Sequence, residues 1–120
     1  MKCLEDLKTY CLQKIGSTID FPFDQHTLVF KVSDKMFALS NINEAVTRVN
    51  LKCEPELAEL LRQKYDAVKP GYHMNKRHWN TVTLDGSIPE DEILFMIDMS
   101  YDLVVKGLAK KTQKALLASS

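Results

Sequence analysis

The segment AVTRVNLKC, residues 45–53, alternates two kinds of side chain, one mainly apolar and the other mainly polar. A period of two is typical of a β-strand whose two faces meet different surroundings. The set expected to face the core is Ala45, Thr47, Val49, Leu51 and Cys53. The set expected on the opposite face is Val46, Arg48, Asn50 and Lys52. We therefore predict a sheet with one covered face and one face open to water.

Three more strands are predicted around this one. Leu28–Val32 and Lys35–Ser40 flank the polar pair Ser33-Asp34, a spacing that predicts a β-hairpin. Trp79–Leu84 is rich in β-branched residues and predicts a later strand. Ser17–Gln25 contains a proline and is expected to be irregular or to form an edge.

Three helices are predicted from apolar residues that recur every three or four positions. They begin near Leu4, Pro55 and Glu90. The second is expected to bury a stripe that consists of Leu57, Leu60, Leu61 and Tyr65. Ser87 and Glu90 have the S-x-x-E spacing of a capping box at the start of the third helix, which Gly107 is expected to end.

The predicted order of elements is α-β-β-β-α-β-β-α. Short turns between strands, with helices outside them, favour an α+β two-layer sandwich. We expect an antiparallel sheet of about five strands with helices packed on one face. Residues 1–108 are predicted to form a single domain, followed by a basic C-terminal tail over residues 109–120 that is helix-prone but weakly held.

Composition is that of an ordinary globular domain, with 45% hydrophobic and 27% charged residues among 120. No apolar run approaches the roughly 18 residues needed to span a bilayer. Glu5 and Asp6 interrupt the first apolar segment, so no secretory signal is expected there and a cytoplasmic location is predicted. The odd number of cysteines (Cys3, Cys11 and Cys53) predicts buried thiols in place of disulfides.

The stretch VKPGYHMNKRHWNTVTL, residues 68–84, concentrates imidazoles, amides and cations without a single acid. Burying such groups costs free energy unless each of them finds a partner. We therefore expect the stretch to form a displayed binding surface. The whole chain is nevertheless neutral, with sixteen basic and sixteen acidic residues, and a neutral total lowers the expectation of a nucleic-acid partner.

Enzymatic chemistry is not indicated by any motif. His73 and His78 lie five positions apart without a nearby cysteine or carboxylate to complete a zinc set. No GxSxG string is present, and neither of the glycine-rich phosphate-binding strings occurs. The sequence thus predicts a non-enzymatic protein with no cofactor and no metal.

Four segments closely resemble the MmcQ/YjbR family of small bacterial proteins. They are TLVFKVSDKMFAL (27–39), RVNLKCEPELAELLRQKY (48–65), PGYHMNKRHWNTVTLDGSIP (70–89) and SYDLVVKGL (100–108). The likeness runs from about Leu4 to Leu108, and the tail departs from it at Ala109, where proline is expected. The resemblance implies a CyaY-like fold, also akin to secretion chaperones, and a DNA-binding role through a double-wing motif.

The resemblance also implies a signature surface. Its residues are Asn50, Lys52, Tyr72, His73, Asn75, Lys76, His78, Trp79 and Asn80. If DNA is the partner, Lys52, Lys76 and Arg77 are expected on phosphates, with help from Lys31 and Arg48. Asn50, Asn75 and Asn80 would then offer amides to base edges, and Tyr72 or Trp79 would stack on a base.

Two other functions stay open from the residues. An open sheet face is also suited to a protein or peptide partner, which would predict an exposed apolar groove and often a homodimer in place of a monomer. A small anionic ligand held by Arg48, His73 and Lys76 is the third possibility. Trp79 itself has two interpretations, of which a core anchor is favoured over a stacking platform.

Overall fold

Residues 1–118, which the computed structural model describes, form helices on one side of an antiparallel sheet. The strands are β1 Ser17–Asp20, β2 Thr27–Val32, β3 Lys35–Asn41, β4 Arg48–Lys52, β5 Val68–Pro70 and β6 Trp79–Thr83. The helices are α1 Leu4–Leu12, α2 Pro55–Lys64, α3 Glu90–Lys106 and α4 Lys110–Ala118. The predicted α+β class is confirmed. Residues 119 and 120 of the predicted tail lie outside the described part of the chain.

The sheet runs in the order β1-β2-β3-β4-β6-β5. The predicted β2–β3 hairpin is present, and its turn residues Ser33 and Asp34 have φ values of 48° and 65°. Two positive φ values in succession match the twist of a tight hairpin. The sheet has six strands where about five were predicted, because Ser17–Asp20 pairs with β2 as an edge strand.

The period-two prediction for β4 is confirmed. Val49 and Leu51 are buried in the core cluster against the helices, whereas Arg48, Asn50 and Lys52 are partly exposed. The strand begins at Arg48, so the predicted start at Ala45 is wrong. The three residues before Arg48 belong to the irregular loop between β3 and β4, and Ala45 is exposed in that loop.

Two helix predictions are wrong in detail. On α2, Ala58 and Leu61 are buried, but Leu60 is 60% exposed, since it points away from the sheet. At α3 the capping box does not form. Ser87 Oγ instead donates to Asp85 Oδ1 at 2.5 Å, and Pro89 occupies the N-cap position. Gly107 ends α3 as predicted.

A buried hydroxyl joins α3 to the sheet. Ser100 is fully buried, and its Oγ donates to the carbonyl of Phe37 at 2.5 Å. The same oxygen accepts the N–H of Lys52 at 2.8 Å. Phe37 lies where the register between β2 and β3 shifts, so its carbonyl is at an irregular point of the sheet. Ser100 therefore satisfies two backbone groups at once.

The tail after Gly107 forms α4. None of its described side chains is buried, but Leu116 packs against the core cluster. Gln113 Nε2 donates to the carbonyl of Leu108 at 2.8 Å and so fixes the start of α4. Within residues 1–118, no helix has both the length and the apolar character needed to cross a membrane.

The cysteines agree only partly with the sequence prediction. Cys11 and Cys53 are buried free thiols, as predicted. Cys3 is exposed because it precedes α1 at the N-cap position, so the prediction that it is buried is wrong. The sheet edges also differ from one another. β5 is three residues long and carries Lys69 and Pro70, whereas Thr18 and Ile19 of β1 are exposed.

Candidate functional site

A cleft of about 550 Å³ opens on the face of the sheet that points away from the helices. Strands β3, β4 and β6 contribute Leu39, Asn50 and Thr81 to its base. The loop after β1 contributes Phe23, and the loop before β6 contributes Tyr72. We refer to it as the open-face cleft. Its volume falls within the range of about 300–1,000 Å³ that is typical of small-molecule sites.

Strand register explains why these base residues share one face. Leu39 pairs with Asn50, and Asn50 pairs with Thr81, while Leu51 next to Asn50 belongs to the core cluster. Val29 continues the row beside Leu39. Leu39 is 4% exposed and Val29 is fully buried, although neither belongs to the core cluster. The base of the cleft therefore places the apolar Leu39 of β3 beside the polar Asn50 and Thr81 of β4 and β6.

The guanidinium of Arg48 is the only cation of a Lys or Arg side chain that lines the open-face cleft within residues 1–118. Its Nε and Nη2 both contact Oε2 of Glu44, at 2.8 and 2.5 Å. The guanidinium also lies 5.8 Å from the ring centroid of Tyr72, within cation–π range. Arg48 is thus held between a carboxylate and an aromatic ring, while its side chain stays 42% exposed.

A hydroxyl at the centre of the sheet fixes the Tyr72 loop. Thr81 Oγ1 accepts the backbone N–H of Tyr72 at 2.9 Å and donates to Oδ1 of Asn50. Tyr72 contacts His73 with ring centroids 4.1 Å apart. His73 has a φ of 60°, a left-handed conformation that a residue with a β-carbon adopts only when its surroundings hold it there. The two rings are therefore presented to the cleft by a constrained loop.

Three donor groups of the cleft have no partner among residues 1–118. They are Nη1 of Arg48, Nδ2 of Asn50 and the ring nitrogens of His73, the last of which accept or donate according to tautomer. Each belongs to a side chain that lines the open-face cleft. The cleft therefore offers donors toward any ligand that enters it.

Asp24 lies at the same cleft but is already occupied by its own loop. Oδ1 accepts the backbone N–H groups of His26 and Thr27 at 2.8 and 2.7 Å. Oδ2 accepts the hydroxyl of Thr27. These backbone donors hold the pKa of the Asp24 carboxyl below its usual value. The carboxylate is thus suited to fixing the loop that carries Phe23.

The loop before β6 is held from the helix side of the sheet. Arg62 on α2 donates through Nη2 to the carbonyls of Lys76 and Trp79, the latter at 3.3 Å. Gly71 donates its N–H to the carbonyl of Trp79 at 2.8 Å. A β-carbon at Gly71 would lie 2.8 Å from the Trp79 Cβ, so only glycine permits this approach.

Several predicted signature residues therefore hold the loop together. Lys76 Nζ donates to the carbonyl of Gly71 at 3.0 Å, and Asn75 Oδ1 accepts the N–H of Arg77 at 3.0 Å. His78 contributes its carbonyl to the N–H of Cys53 at 2.8 Å. The side chains at positions 75, 76 and 77 remain exposed.

Asn80 is placed differently from its prediction as a ligand-binding residue. It pairs with Leu51 in the register and shares the helix-facing side of the sheet, where it is 2% exposed. Its Oδ1 accepts Nε of Arg62 at 2.7 Å, and its Nδ2 donates to the carbonyl of Ala58 at 3.4 Å. A side chain buried and bonded in this way has no access to the open face, so the prediction for Asn80 is wrong.

Trp79 is on the open face, opposite the helices. It pairs with Lys52, and both are partly exposed outside the lining of the cleft. The interpretation of Trp79 as a core anchor is therefore wrong. Lys31, predicted as an auxiliary cation, forms an ion pair with Asp20 at 3.3 Å.

The structure thus brings together part of the predicted surface. The predicted residues that line the open-face cleft are Arg48, Asn50, Tyr72 and His73. Those outside its lining are Lys52, Asn75, Lys76, Arg77, His78, Trp79 and Asn80. Sequence reasoning missed Phe23, Leu39, Glu44 and Thr81. Of these, the position of Thr81 on the open face is predictable from the alternation of side chains along β6. Phe23 and Glu44 lie in loops, which have no such periodic pattern.

Within residues 1–118, no three His, Cys, Asp or Glu side chains lie close enough together to hold an ion. His73 and His78 project from different points of the loop, and only His73 reaches the open-face cleft.

Comparison with known proteins places the chain among small bacterial proteins of matching length. It is 40% identical to the uncharacterised protein YjbR of Escherichia coli strain K12, over 95% of this chain and 97% of that protein. It is 32% identical to the uncharacterised protein YyaQ of Bacillus subtilis, over 82% of this chain and 95% of that protein.

Solved structures agree with the fold. A crystal structure from Deinococcus radiodurans has a TM-score of 0.92 and 43% identity, and the match covers 97% of this chain and 88% of that one. A crystal structure from Pseudomonas syringae has a TM-score of 0.72 and 33% identity, with coverage of 83% and 97%. A sequence model named YjbR matches residues 12–103. The chain therefore belongs to the YjbR family.

Proposed function

We propose that this protein is a non-enzymatic binding module that holds a small ligand in the open-face cleft. The observation that carries the proposal is the cleft itself, a concave site of about 550 Å³ on a rigid sheet. Small-molecule sites are mostly apolar with a few well-placed polar groups. Leu39, Met36 and Phe23 supply the apolar part here, and Arg48 and Asn50 supply donors.

Binding without catalysis is favoured by the state of the carboxylates at the cleft. Asp24 is engaged by backbone donors of its own loop, and Glu44 is engaged by Arg48. Both carboxylates thus serve to hold Arg48 and the Phe23 loop in place, which suits a lining that positions a ligand.

A screen of small aromatic and aliphatic compounds by two-dimensional ¹⁵N–¹H NMR tests this proposal. Binding in the open-face cleft should shift the amide signals of Leu39, Asn50 and Thr81. A thermal-shift readout gives a second measure, because a ligand at 100 times its Kd stabilises by about 2.7 kcal/mol.

A matched pair of variants locates the site. Tyr72→Ala removes a cleft side chain that is 59% exposed, and Leu60→Ala removes one that is 60% exposed on the distant helix α2. We expect only Tyr72→Ala to weaken binding. Hits whose shifts map elsewhere, or that bind both variants equally, would contradict the proposal.

DNA binding is a second candidate, favoured by the strand register. Arg48, Lys52 and Lys69 lie on the open side of β4 and β5, with Trp79 beside Lys52. Arg48 and Lys52 are four residues apart on one strand, about 13 Å at the usual rise per residue. Cations spaced along a sheet in this way are able to follow a phosphate backbone.

Salt dependence tests this second candidate. Affinity for a mixed-sequence duplex, measured by fluorescence anisotropy, should fall with salt with a slope of about −0.9 per phosphate contacted. Lys52→Ala and Lys69→Ala should each flatten that slope by about 1, whereas Lys110→Ala on α4 should not. Undetectable affinity at low salt, or a slope that ignores both variants, would exclude it.

A further inference from the structure

We propose that the ligand of the open-face cleft is a small apolar or aromatic carboxylic acid, whose carboxylate takes Arg48 from Glu44. This inference rests on the proposed small-ligand function and names the ligand class. It follows from the way in which Glu44 occupies Arg48, from the unpartnered donors beside that pair, and from the charge of the lining.

The ion pair with Glu44 occupies only two of the three guanidinium nitrogens of Arg48. Nε and Nη2 of Arg48 share a single oxygen, Oε2 of Glu44, at 2.8 and 2.5 Å. Nη1 of Arg48 has no partner among residues 1–118. A guanidinium binds a carboxylate best through two parallel N–H···O bonds to two oxygens. An incoming carboxylate would gain a two-oxygen geometry that Glu44 does not adopt.

Glu44 is placed where it is able to move aside. It lies in the irregular loop between β3 and β4, outside the regular strands. Its side chain is 25% exposed, so it reaches water when released. Arg48, by contrast, is the first residue of β4, and its carbonyl accepts the hydroxyl of Ser40 at 2.7 Å. The backbone of Arg48 is therefore fixed in the sheet, whereas Glu44 belongs to a loop, and we take Glu44 as the exchangeable partner.

Donors beside Arg48 complete a site for the acid group. Nδ2 of Asn50 has no partner among residues 1–118, because only Oδ1 of that amide is bonded, to Thr81. The His73 ring is likewise free of hydrogen bonds within the described chain. Charge-assisted bonds from these donors to a carboxylate are stronger than bonds between neutral groups.

The other side chains that line the cleft favour a ligand whose part beyond the carboxylate is apolar. Leu39, Met36 and Met74 line the cleft together with the aromatic rings of Phe23 and Tyr72. Phe23 is 64% exposed, a large apolar area without cover in the free protein. A ring or short hydrocarbon between these side chains would remove that area from water, which is favourable at roughly 25 cal/mol per Å².

Net charge disfavours a small, multiply charged anion inside this cleft. Its charged lining consists of Asp24, Glu44 and Arg48, two carboxylates against one guanidinium. A phosphate ester would carry extra negative charge toward both carboxylates, and like charges at short range are repulsive. A monocarboxylate meets the same repulsion with a single charge only, and it gains the pairing with Arg48 that Glu44 gives up. The ligand class is therefore a monoanionic acid.

Two probes of equal shape test the proposal. 2-Naphthoate and 2-naphthamide differ in charge at neutral pH but share the same ring system. Titration of each into the full chain is followed by ¹⁵N–¹H NMR. We expect 2-naphthoate to bind more tightly and to shift the amides of Arg48, Asn50 and Leu39, with a smaller effect from 2-naphthamide.

Variants of Glu44 separate this inference from general binding. Glu44→Gln removes the competing carboxylate and should tighten 2-naphthoate binding by about two- to five-fold, the range expected for one exposed ion pair. It should leave 2-naphthamide binding unchanged. Glu59→Gln, an exposed acid on α2, is the control and should change neither. Arg48→Gln should abolish the preference for the acid.

The experiment distinguishes a failure of the carboxylate inference from a failure of the small-ligand function. If both probes bind in the open-face cleft with equal affinity and Glu44→Gln changes neither, the carboxylate inference is wrong and the small-ligand function stands. If neither probe shifts any cleft amide at millimolar concentration, both proposals fall.

Discussion

Nε of Arg62 donates to Oδ1 of Asn80 across 2.7 Å and so joins helix α2 to strand β6. The same guanidinium reaches over the sheet end to the carbonyls of Lys76 and Trp79. One arginine on the covered side thereby fixes the loop that supplies Tyr72 and His73 to the open side. The shape of the cleft depends in this way on a contact outside it.

Asn80→Ala is expected to destabilise the fold by about 1–3 kcal/mol, because it leaves Arg62 and the carbonyl of Ala58 without their buried partner. Urea unfolding followed by circular dichroism measures the change. Asn75→Ala is the control at an exposed position and should cost within about 0.5 kcal/mol. A loss at Asn80 that also stays within about 0.5 kcal/mol would mean that its contact with Arg62 contributes little to stability.

Ser100→Ala is expected to cost about 1–3 kcal/mol in the free energy of unfolding. The variant leaves the carbonyl of Phe37 and the N–H of Lys52 without the hydroxyl that satisfies both. Ser87→Ala, at an exposed turn, is the comparison and should have a small effect. A stable Ser100→Ala protein would show that another group replaces the hydroxyl.

Alanine substitutions of buried and exposed aliphatic residues should differ in their effect on the free energy of unfolding. Leu51→Ala and Ile97→Ala are each expected to cost about 2–5 kcal/mol, since both residues are at most 2% exposed. Leu60→Ala, at 60% exposure, should stay within about 0.5 kcal/mol. Chemical denaturation of the three variants checks the order, and a large loss at Leu60 would point to an unseen contact on α2.

Thiol reactivity should differ sharply among the cysteines. Burial raises the pKa of Cys11 to about 12, and burial also raises the pKa of Cys53. At pH 8, below the raised value, the Cys11 sulfur is a neutral thiol and a poor nucleophile. An aromatic disulfide reagent should therefore modify Cys3 first, and all three only in denaturant. Fast modification of Cys11 in the native protein would contradict its burial.

Acid should weaken the loop that carries Phe23. The pKa of Asp24 is lowered by the N–H groups of His26 and Thr27, so its contribution is present above the usual carboxyl pKa and is lost as pH falls through the lowered value. Asp24→Asn should lower the denaturation midpoint at pH 7, with a difference that shrinks in acid. Asp66→Asn, at an exposed position, is the control variant for this comparison.

The sequence predicted the sheet and its polarity from alternation alone. Arg48, Asn50 and Lys52 share a face because successive side chains of a strand point to opposite sides. The same rule separates Trp79 from Asn80, although the family likeness implies one signature surface that contains both. Applied to β6, alternation would have placed Asn80 with Val82 in the core.

The loop residues of the cleft could not be predicted from the local pattern of the sequence. Glu44 meets Arg48 from an irregular loop, and Phe23 arrives from a segment about 25 residues earlier in the chain. Such contacts depend on where the loops fold over the sheet, and a pattern with a period of two or 3.6 does not describe loops. The capping box at Ser87 failed for a related reason, since the nearby Asp85 carboxylate captured the hydroxyl.

The two edge strands of the sheet differ, so self-association is expected at one edge, β1, and not at the other, β5. Lys69 and Pro70 blunt the β5 margin, because a proline lacks an N–H and a lysine resists dehydration. The β1 margin has exposed Thr18 and Ile19 and no proline. Concentrated samples should therefore lose monodispersity through strand addition at β1, and a charge introduced at Ile19 is the change expected to restore it.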